Sequence, residues 1–542
     1  MYLKKVILKN FKKFQDMEFE FEKGTNIIIG HNESGKSTLL KAIDIALNQS
    51  GNGDWSNRSE YGTLMNISAL EKFKNSEKSF TDLPEILIEL YFENDGGVNN
   101  IHNSLFYGTN NSKTEAEYGI QFKYNFDDNL SKEYNDFLYT LRSKKNNSDI
   151  DQIRFIPYEF YRASWNGFSG QSYNFRKNPF KSILIDNDKI RGNSYKIFAH
   201  QIFNSLDLKE QHALSLKLKE YINRFNNDIS ASQKQRFTID TTRLVVQDIL
   251  DVFDDSDNSK LLMRDMGSGK ENILKTDLAV HSKNSTLILL EEPENHLSFD
   301  LARKQISKIK NIEENDVQII VSTHSPLLAS KLKVNNLRWL NEDGKIISFN
   351  NVPKDDVQFF LKADNIDILQ IILAKKVILV EGATEYIAMP DMIEESCNNQ
   401  TSDQLGFHVV SMGGSFYKRF KEIAKVTKNK VLVITDNDGS EERIAEANSS
   451  ETDSFKVAIP SNTDDFTFEV ALYNENKKFF KSKEWGHKSN INTWNKHENL
   501  DSELVWLLNN KAEAAFQYSK YFKKDKLHVP CYIEEGLKWL QK

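Results

Sequence analysis

Two cysteines, Cys397 and Cys531, in 542 residues leave no material for a disulfide framework or a four-thiolate zinc site. A reducing cytoplasm is the expected location. Nine prolines and 23 glycines beside 39% hydrophobic residues exclude a collagenous or disordered chain. There is no excess of positive charge either: 71 Lys and Arg stand against 78 Asp and Glu, a net charge of −7. Any contact with nucleic acid must therefore use local patches rather than a global field. No apolar run approaches the ~20 residues of a membrane span, the longest being strand-sized, such as Thr286 to Leu290 and Val377 to Val380. Met1 to Leu8 alternates apolar and polar residues like a strand, unlike the continuous apolar core of a signal peptide. What is left is a folded chain of several domains without a membrane partner.

The pattern along the chain predicts strands at Leu3–Leu8, Met17–Phe21 and Thr25–Ile29, then a glycine turn and a helix from Ser37 to Asn48. Further strands are expected at Ile86–Phe92, Ile120–Tyr124, Phe237–Ile239, Leu287–Leu290 and Ile319–Val321. Between about 194 and 233 an apolar stripe of leucines among charges reads as an inserted helical arm, with a core-packed helix pair as the equal alternative. A second α/β segment runs through Val377–Val380, His408–Val410 and Val431–Ile434, with its boundary near 350–364.

Gly30-His31-Asn32-Glu33-Ser34-Gly35-Lys36-Ser37 matches G-x-x-x-x-G-K-[ST] between a strand and a helix, the setting of a phosphate loop. Gly30, Asn32, Gly35, Lys36, Ser37 and Thr38 are the candidate nucleotide-binding residues, with Lys36 on the β/γ oxygens and Ser37 on Mg²⁺. Leu287–Leu290 runs into Glu291-Glu292-Pro293-Glu294, an apolar strand delivering carboxylates. Glu291 is read as the metal-side acid and Glu292 as the base for an attacking water. Ile319–Val321 leads to Ser322-Thr323-His324-Ser325-Pro326, placing His324 to sense a γ-phosphate. Gly267-Ser268-Gly269 precedes a helix and suits phosphate contact through backbone N–H groups.

In the second half, Val380 leads into Glu381-Gly382-Ala383-Thr384-Glu385, and Ile434 into Thr435-Asp436-Asn437-Asp438-Gly439. Two strand ends with paired hard-oxygen ligands point to Mg²⁺ or Mn²⁺. Alone, Asp-Asn-Asp-Gly is equally good turn chemistry. Lys477 to Trp485, with Lys488, Trp494 and Lys496, mixes lysines and aromatics suited to phosphates and exposed bases, with a solvated lysine face over core aromatics as the alternative. Lys144 and Lys145 rank below them.

The order of phosphate loop, Gly-Ser-Gly loop, Glu-Glu-Pro-Glu and Ser-Thr-His-Ser-Pro resembles the ABC-type ATPase heads of SMC, RecF and OLD (overcoming lysogenization defect) proteins. The Glu-Gly-x-x-Glu and Asp-x-Asp pair, with Ser411 to Ser415, resembles the TOPRIM fold as OLD nucleases carry it. Together they identify the chain as similar to the OLD family over nearly its whole length. The resemblance implies an α/β protein: an ABC-type ATPase over 1–189 and 234–355, a helical dimerisation insertion over 190–233, and a TOPRIM nuclease domain over 356–542. It implies that Ser268 faces a partner subunit's ATP. It also implies that Glu469 adds to the metal acids Glu381, Glu385, Asp436 and Asp438, and that Lys511 stabilises the transition state. The expected activity is ATP-gated, metal-dependent DNA cleavage by a homodimer or larger homo-oligomer in phage defence, with a companion defence protein or retron-type ribonucleoprotein as a further partner. The competing expectation is an ATP-gated sensor or scaffold that binds without cutting.

Overall fold

A computed structural model of the chain describes residues 1–49, 60–94, 103–143, 156–186, 202–203, 206, 208–229, 253–254, 261–262, 265–280, 285–312, 317–331, 334–341, 344–363, 368–482, 492–495, 497–524 and 527–542. The chain forms two bodies, Met1–His324 with Asn336–Ile346, and Ser325–Asn335 with Ile347–Lys542. The expected strand at Phe237–Ile239, and Lys144, Lys145, Lys483, Trp485, Lys488 and Lys496, lie outside the described residues.

In the first body the chain runs β1 (Tyr2–Phe11), β2 (Phe14–Glu20), β3 (Thr25–Ile29), α1 (Lys36–Asn48), β4 (Ile86–Glu93), β5 (Glu117–Phe126), β6 (Tyr161–Gly167) and β7 (Ile183–Asp186). It continues with α2 (Leu208–Ile229), α3 (Ser268–Val280), β8 (Leu287–Glu291), α4 (Phe299–Ile312), β9 (Gln318–Ser322) and β10 (Leu337–Leu340). Two sheets result. One is antiparallel in the order β2-β1-β4-β5-β6, and the other has β10-β3-β9-β8-β7 in parallel. The parallel strands Ile27–Ile29, Leu287–Leu290 and Ile319–Val321 are fully buried because both faces are covered, which is why they read as unbroken apolar runs. In β4 the even residues Ile86, Ile88, Leu90 and Phe92 join the main core with Leu39, Leu40 and Ile43 of α1. Each contributes ~1.5–3 kcal/mol by leaving water. The opposite face carries Glu89, fully buried and accepting from Ser112 N–H at 2.7 Å, Ser112 Oγ at 2.6 Å, Gln121 Nε2 at 2.7 Å and Tyr91 OH at 2.9 Å. A buried carboxylate needs that many donors.

The C-terminal end of α1 is tied to the antiparallel sheet: Trp165 Nε1 donates to the Ile45 carbonyl at 3.0 Å, and Tyr173 OH to Leu47 at 2.7 Å. These bonds satisfy carbonyls that a helix end leaves without partners and so hold the helix that carries the phosphate loop. Within the expected arm, Leu208–Ile229 is helical, with Leu216 and Tyr221 exposed.

The second body is built on β11 (Lys376–Val380), β12 (Phe407–Ser411), β13 (Lys430–Ile434) and β14 (Phe455–Ala458), parallel in the order β12-β11-β13-β14. Around it stand α5 (Ala383–Ser396), α6 (Phe468–Glu475), α7 (Lys511–Tyr518) and α8 (Cys531–Gln541). Ile378, Val380, Leu432 and Ile434 share one core with Met389, Met392, Leu472, Ala515 and Leu537 of these helices. The helix Pro326–Lys331 groups with this body although it directly follows His324 in sequence. Among the described residues no helix is long and apolar enough to cross a membrane.

Candidate functional site

Ligands of parallel sheets bind beyond the carboxyl ends of the strands, and in the first body three such ends lie together. Glu291 pairs with Ser322, and Ser322 with Ile28, so β8, β9 and β3 finish side by side. The phosphate loop follows β3. Gly35 has φ 112°, and a Cβ there would come 2.4 Å from the Phe14 ring, so the position takes only glycine. Gly30 is equally confined, its added Cβ falling 2.6 Å from the Leu340 carbonyl. α1 starts without a side-chain cap and without an acid in its first turn, leaving its positive end for an anion. Asn32 and Ser37 are exposed there and Thr38 is half-buried. A triphosphate fits this cradle.

Lys36 is buried, and its Nζ donates to the Gly30 carbonyl at 3.1 Å and the His31 carbonyl at 3.2 Å, with His324 Nε2 at 2.6 Å. Burial lowers its pKa to about 8 against the pull of Glu292, Glu291 and Glu294. Glu291 ends β8 and is buried. Glu292 adopts φ 43°, its N–H donating to the Ser322 carbonyl at 3.0 Å. Its Oε2 accepts from the His324 N–H at 3.1 Å, and Oε1 lies 3.7 Å from the imidazole Nε2. Burial and then Glu294 push the Glu292 carboxyl above its ordinary value, while the His324 amide and Lys36 pull it down. Perturbed carboxyls of this kind cluster at functional sites, which makes Glu292 a candidate for proton transfer beside the phosphate loop. Thr323 Oγ1 donates to Glu294, which sequence reading had not assigned a role.

Ser268 opens α3, and the start of that helix is seated on the loop that follows Glu292. Asn272 Nδ2 donates to the carbonyls of Pro293 at 3.3 Å and Asn295 at 3.0 Å, and a Cβ on Gly269 would meet the His296 carbonyl at 2.8 Å. The Gly-Ser-Gly loop and the Glu-Glu-Pro-Glu segment are thus one mechanical piece.

In the second body β11 and β13 end level, Val380 beside Ile434, and deliver Glu381 and Asp436 to one place. Glu381 accepts from Ser415 Oγ at 2.5 Å, Thr435 Oγ1 at 2.7 Å and the Asp436 N–H at 3.3 Å. Asp436 accepts the Phe468 N–H at 2.8 Å, at the start of α6, where Thr467 is the N-cap. Glu385 reaches back to the Gly382 N–H at 3.1 Å. Glu469, in the first turn of α6 and buried, pairs with Lys511 Nζ at 3.1 Å. Asp438 is exposed and engaged by Arg443, whose Nη2 also donates to Ser415 Oγ at 3.0 Å. Ser415, Thr435 and Arg443 therefore orient the acids, and of these only Arg443 lies outside the motifs that the sequence singles out.

Burial, then Glu385, Glu469 and Glu381, push Asp436 up to about 8, and burial, then Glu469 and Glu381, push Glu385 up to about 7. Burial works against the charge on Lys511, yet Glu469, Asp436 and Glu385 together hold its ammonium above the ordinary value. Four carboxyls thus crowd one lysine, which raises the proton affinity of two of them, and their hard oxygen atoms suit Mg²⁺ or Mn²⁺. In the positions they occupy, no three acids among the described residues are disposed to hold an ion together, so an ion held by one or two of them would take waters or substrate oxygens for its remaining ligands.

The raised carboxyls give a pH prediction. Unfolded, the two groups ionise near their ordinary values of 3.8 and 4.5, and folded at about 8 and about 7. Between those limits the folded protein binds more protons, so stability falls as pH rises through the window. In chelator, the melting temperature should drop from pH ~5 to pH ~8, and Asp436→Asn should flatten the slope. Added Mn²⁺ should stabilise more strongly as pH rises, because ligation expels protons. Calorimetry across that range checks both, and a flat wild-type profile would refute the assignment.

Comparison with known proteins agrees with this arrangement. Residues 1–329 match the family described as AAA ATPase domain, and residues 372–438 match the TOPRIM domain of overcoming lysogenization defect protein-like proteins. An ATP/GTP phosphatase of Helicobacter pylori is 24% identical over 346 residues, 60% of this chain and 85% of that protein. A protein described as Retron Vc95 probable ATPase, from Vibrio cholerae serotype O1 biovar El Tor, is 23% identical over 403 residues, 63% of this chain and 73% of its own. Among solved structures, the SMC head domain from Thermotoga maritima aligns at 16% identity with a TM-score of 0.29 over 64% of this chain and 99% of that one. With an ATPase domain over more than half its length and an OLD-like TOPRIM domain behind it, the chain belongs to the OLD family of ATPase–TOPRIM proteins.

Proposed function

We propose that the protein is an ATP-gated, divalent-metal-dependent DNA endonuclease acting in the cytoplasm in defence against phage. The observation that carries this reading is the meeting of the buried Glu385, Asp436 and Glu469 with the half-buried Glu381 and Lys511 near the level ends of β11 and β13. Mg²⁺ or Mn²⁺ held there would supply Lewis acidity to activate water and neutralise the leaving 3′ oxygen. Glu381, Glu385, Asp436, Asp438 and Glu469 are the residues that would hold the metal, and Lys511 would offset the charge that develops on the phosphate. In the first body Lys36 binds the β/γ oxygens of ATP, Ser37 and Glu291 sit on the Mg²⁺ side, Glu292 takes the proton of the attacking water, and His324 senses the γ-phosphate. Ser268 completes a partner subunit's site, and the exposed Leu216 and Tyr221 of α2 supply apolar surface for a homodimer or larger assembly. The similarity to a retron ATPase supports the defence setting and a companion protein or ribonucleoprotein as partner.

A second reading, an ATP-gated sensor or scaffold that binds without cutting, is favoured by one observation: each acid is already engaged in a hydrogen bond or ion pair, and no three are disposed to share an ion. Nicking of supercoiled plasmid in Mg²⁺ or Mn²⁺, with and without ATP, separates the two. Nicked circles that require the metal are expected. Plasmid left intact under every nucleotide condition, alone and with any co-purifying partner, would reject the nuclease.

A further inference from the structure

Beside the acids of the second body stands a set of aromatic rings that the hydrolytic chemistry does not use. Phe466 is fixed to the site by its backbone: its carbonyl accepts the Asp438 N–H at 3.0 Å, and two residues on, the Phe468 N–H bonds the Asp436 carboxylate. The His497 imidazole lies flat on the Phe466 ring, centroids 3.7 Å apart and planes within 4°. Trp494 continues the wall at 6.1 Å from Phe466, with an interplanar angle of 19°. Trp494 and His497 exchange two reciprocal backbone bonds of 2.9 Å each, which hold the two residues side by side. Lys511 Nζ joins wall and acids, 3.1 Å from Glu469 and 6.0 Å from the Trp494 ring centroid.

The layering decides what the wall can do. Phe466 is buried, Trp494 is half-buried against the core, and His497 is exposed. Core packing accounts for Phe466 and for one edge of Trp494. The His497 imidazole, by contrast, is exposed while stacked parallel on the phenyl ring, so its outer face is open to solvent. Such a ring, held by those backbone bonds, offers its outer face to another flat π system. Within a duplex both faces of a base are covered by its neighbours, so only an unpaired, frayed or extruded nucleotide can use such a platform.

Resting on the nuclease reading, we infer that Phe466, His497 and Trp494 form a stacking platform for an unpaired base next to the scissile phosphate, which makes DNA with single-stranded character at the cut site the preferred substrate. Lys511 lies where it meets the adjoining phosphate, and stacking is indifferent to base identity, so the preference is for strand state rather than sequence.

The test measures binding without metal. A single-stranded oligonucleotide carrying 2-aminopurine, and the same strand in a duplex, are titrated with the full-length protein in EDTA. Wild type should quench the single strand and bind it more tightly than the duplex. His497→Ala and Trp494→Ala should each weaken single-strand binding roughly tenfold, leave duplex binding unchanged and abolish the quench, whereas His497→Tyr should restore both. Because His497 is exposed, its alanine variant keeps the core, and an unchanged melting temperature confirms it. Equal affinity for both strand states, or alanine variants that bind like wild type, would overturn the inference. In Mn²⁺ the same proteins are assayed on a duplex with an internal unpaired bubble. Cutting that ignores the two rings leaves the nuclease standing without the platform, while stacking without any cutting leaves the platform standing without the nuclease.

Discussion

Glutamine in place of Glu292 is expected to leave ATP binding intact and to slow hydrolysis by about 10²- to 10⁴-fold, the usual contribution of a positioned general base. The substitution keeps the size of the side chain and an oxygen that can still accept the His324 N–H, now 3.1 Å from Oε2. What it removes is proton affinity, which burial and Glu294 enhance in the native carboxyl. Lys36→Ala has a different signature. Lys36 binds the phosphates in our reading, so its loss should remove nucleotide affinity itself. Fluorescent-ATP titration and phosphate release, run on both variants, separate the two. Hydrolysis by Glu292→Gln at the wild-type rate would remove Glu292 from the mechanism.

At Asp436 the expected loss is of DNA cleavage, by more than the ~10–100-fold typical of residues that merely orient a metal ligand. Asp436 has two roles that must be told apart. Its carboxylate caps the start of α6 through the Phe468 N–H, and it belongs to the acid group. Asp436→Asn keeps an acceptor for the amide and removes the charge, so it should retain the fold, and in chelator can even be more stable above pH ~7 because no buried charge remains to be forced. Asp436→Ala loses both. If both variants lose plasmid nicking while keeping ATP hydrolysis, the effect belongs to chemistry. Nicking by Asp436→Asn at an undiminished rate would show that the carboxylate serves the helix alone.

The strand-end motifs were legible in sequence because parallel strands covered on both faces must be apolar throughout. Leu287–Leu290, Ile319–Val321, Val377–Val380 and Val431–Ile434 announce themselves, and the candidate site residues Glu291, His324, Glu381 and Asp436 stand one to three residues beyond their ends. The adjacency of Glu381 and Asp436, 55 residues apart, followed from that grammar. Three features did not. The pairing of Asp438 with Arg443 depends on the curl of a loop into the next helix, and no periodicity records it. The stack of His497 on Phe466 joins residues that only tertiary packing brings together. The packing of the helix Pro326–Lys331 on Ile368–Leu373 likewise leaves no mark in the sequence order. The expected arm is described only as Leu208–Ile229, where helical periodicity was plain.

The backbone of Glu292 has a consequence of its own. A residue with a Cβ held at φ 43° sits in a left-handed conformation that costs about 1–3 kcal/mol and that glycine would adopt without penalty. Glycine at this position should therefore yield a hardier but inert protein, with a higher midpoint in urea and no turnover. In our reading of Glu292 as the base, durability and catalysis pull in opposite directions at this one residue, so a glutamate maintained there by a lineage would record demand for the reaction, and a drift to glycine would mark its abandonment.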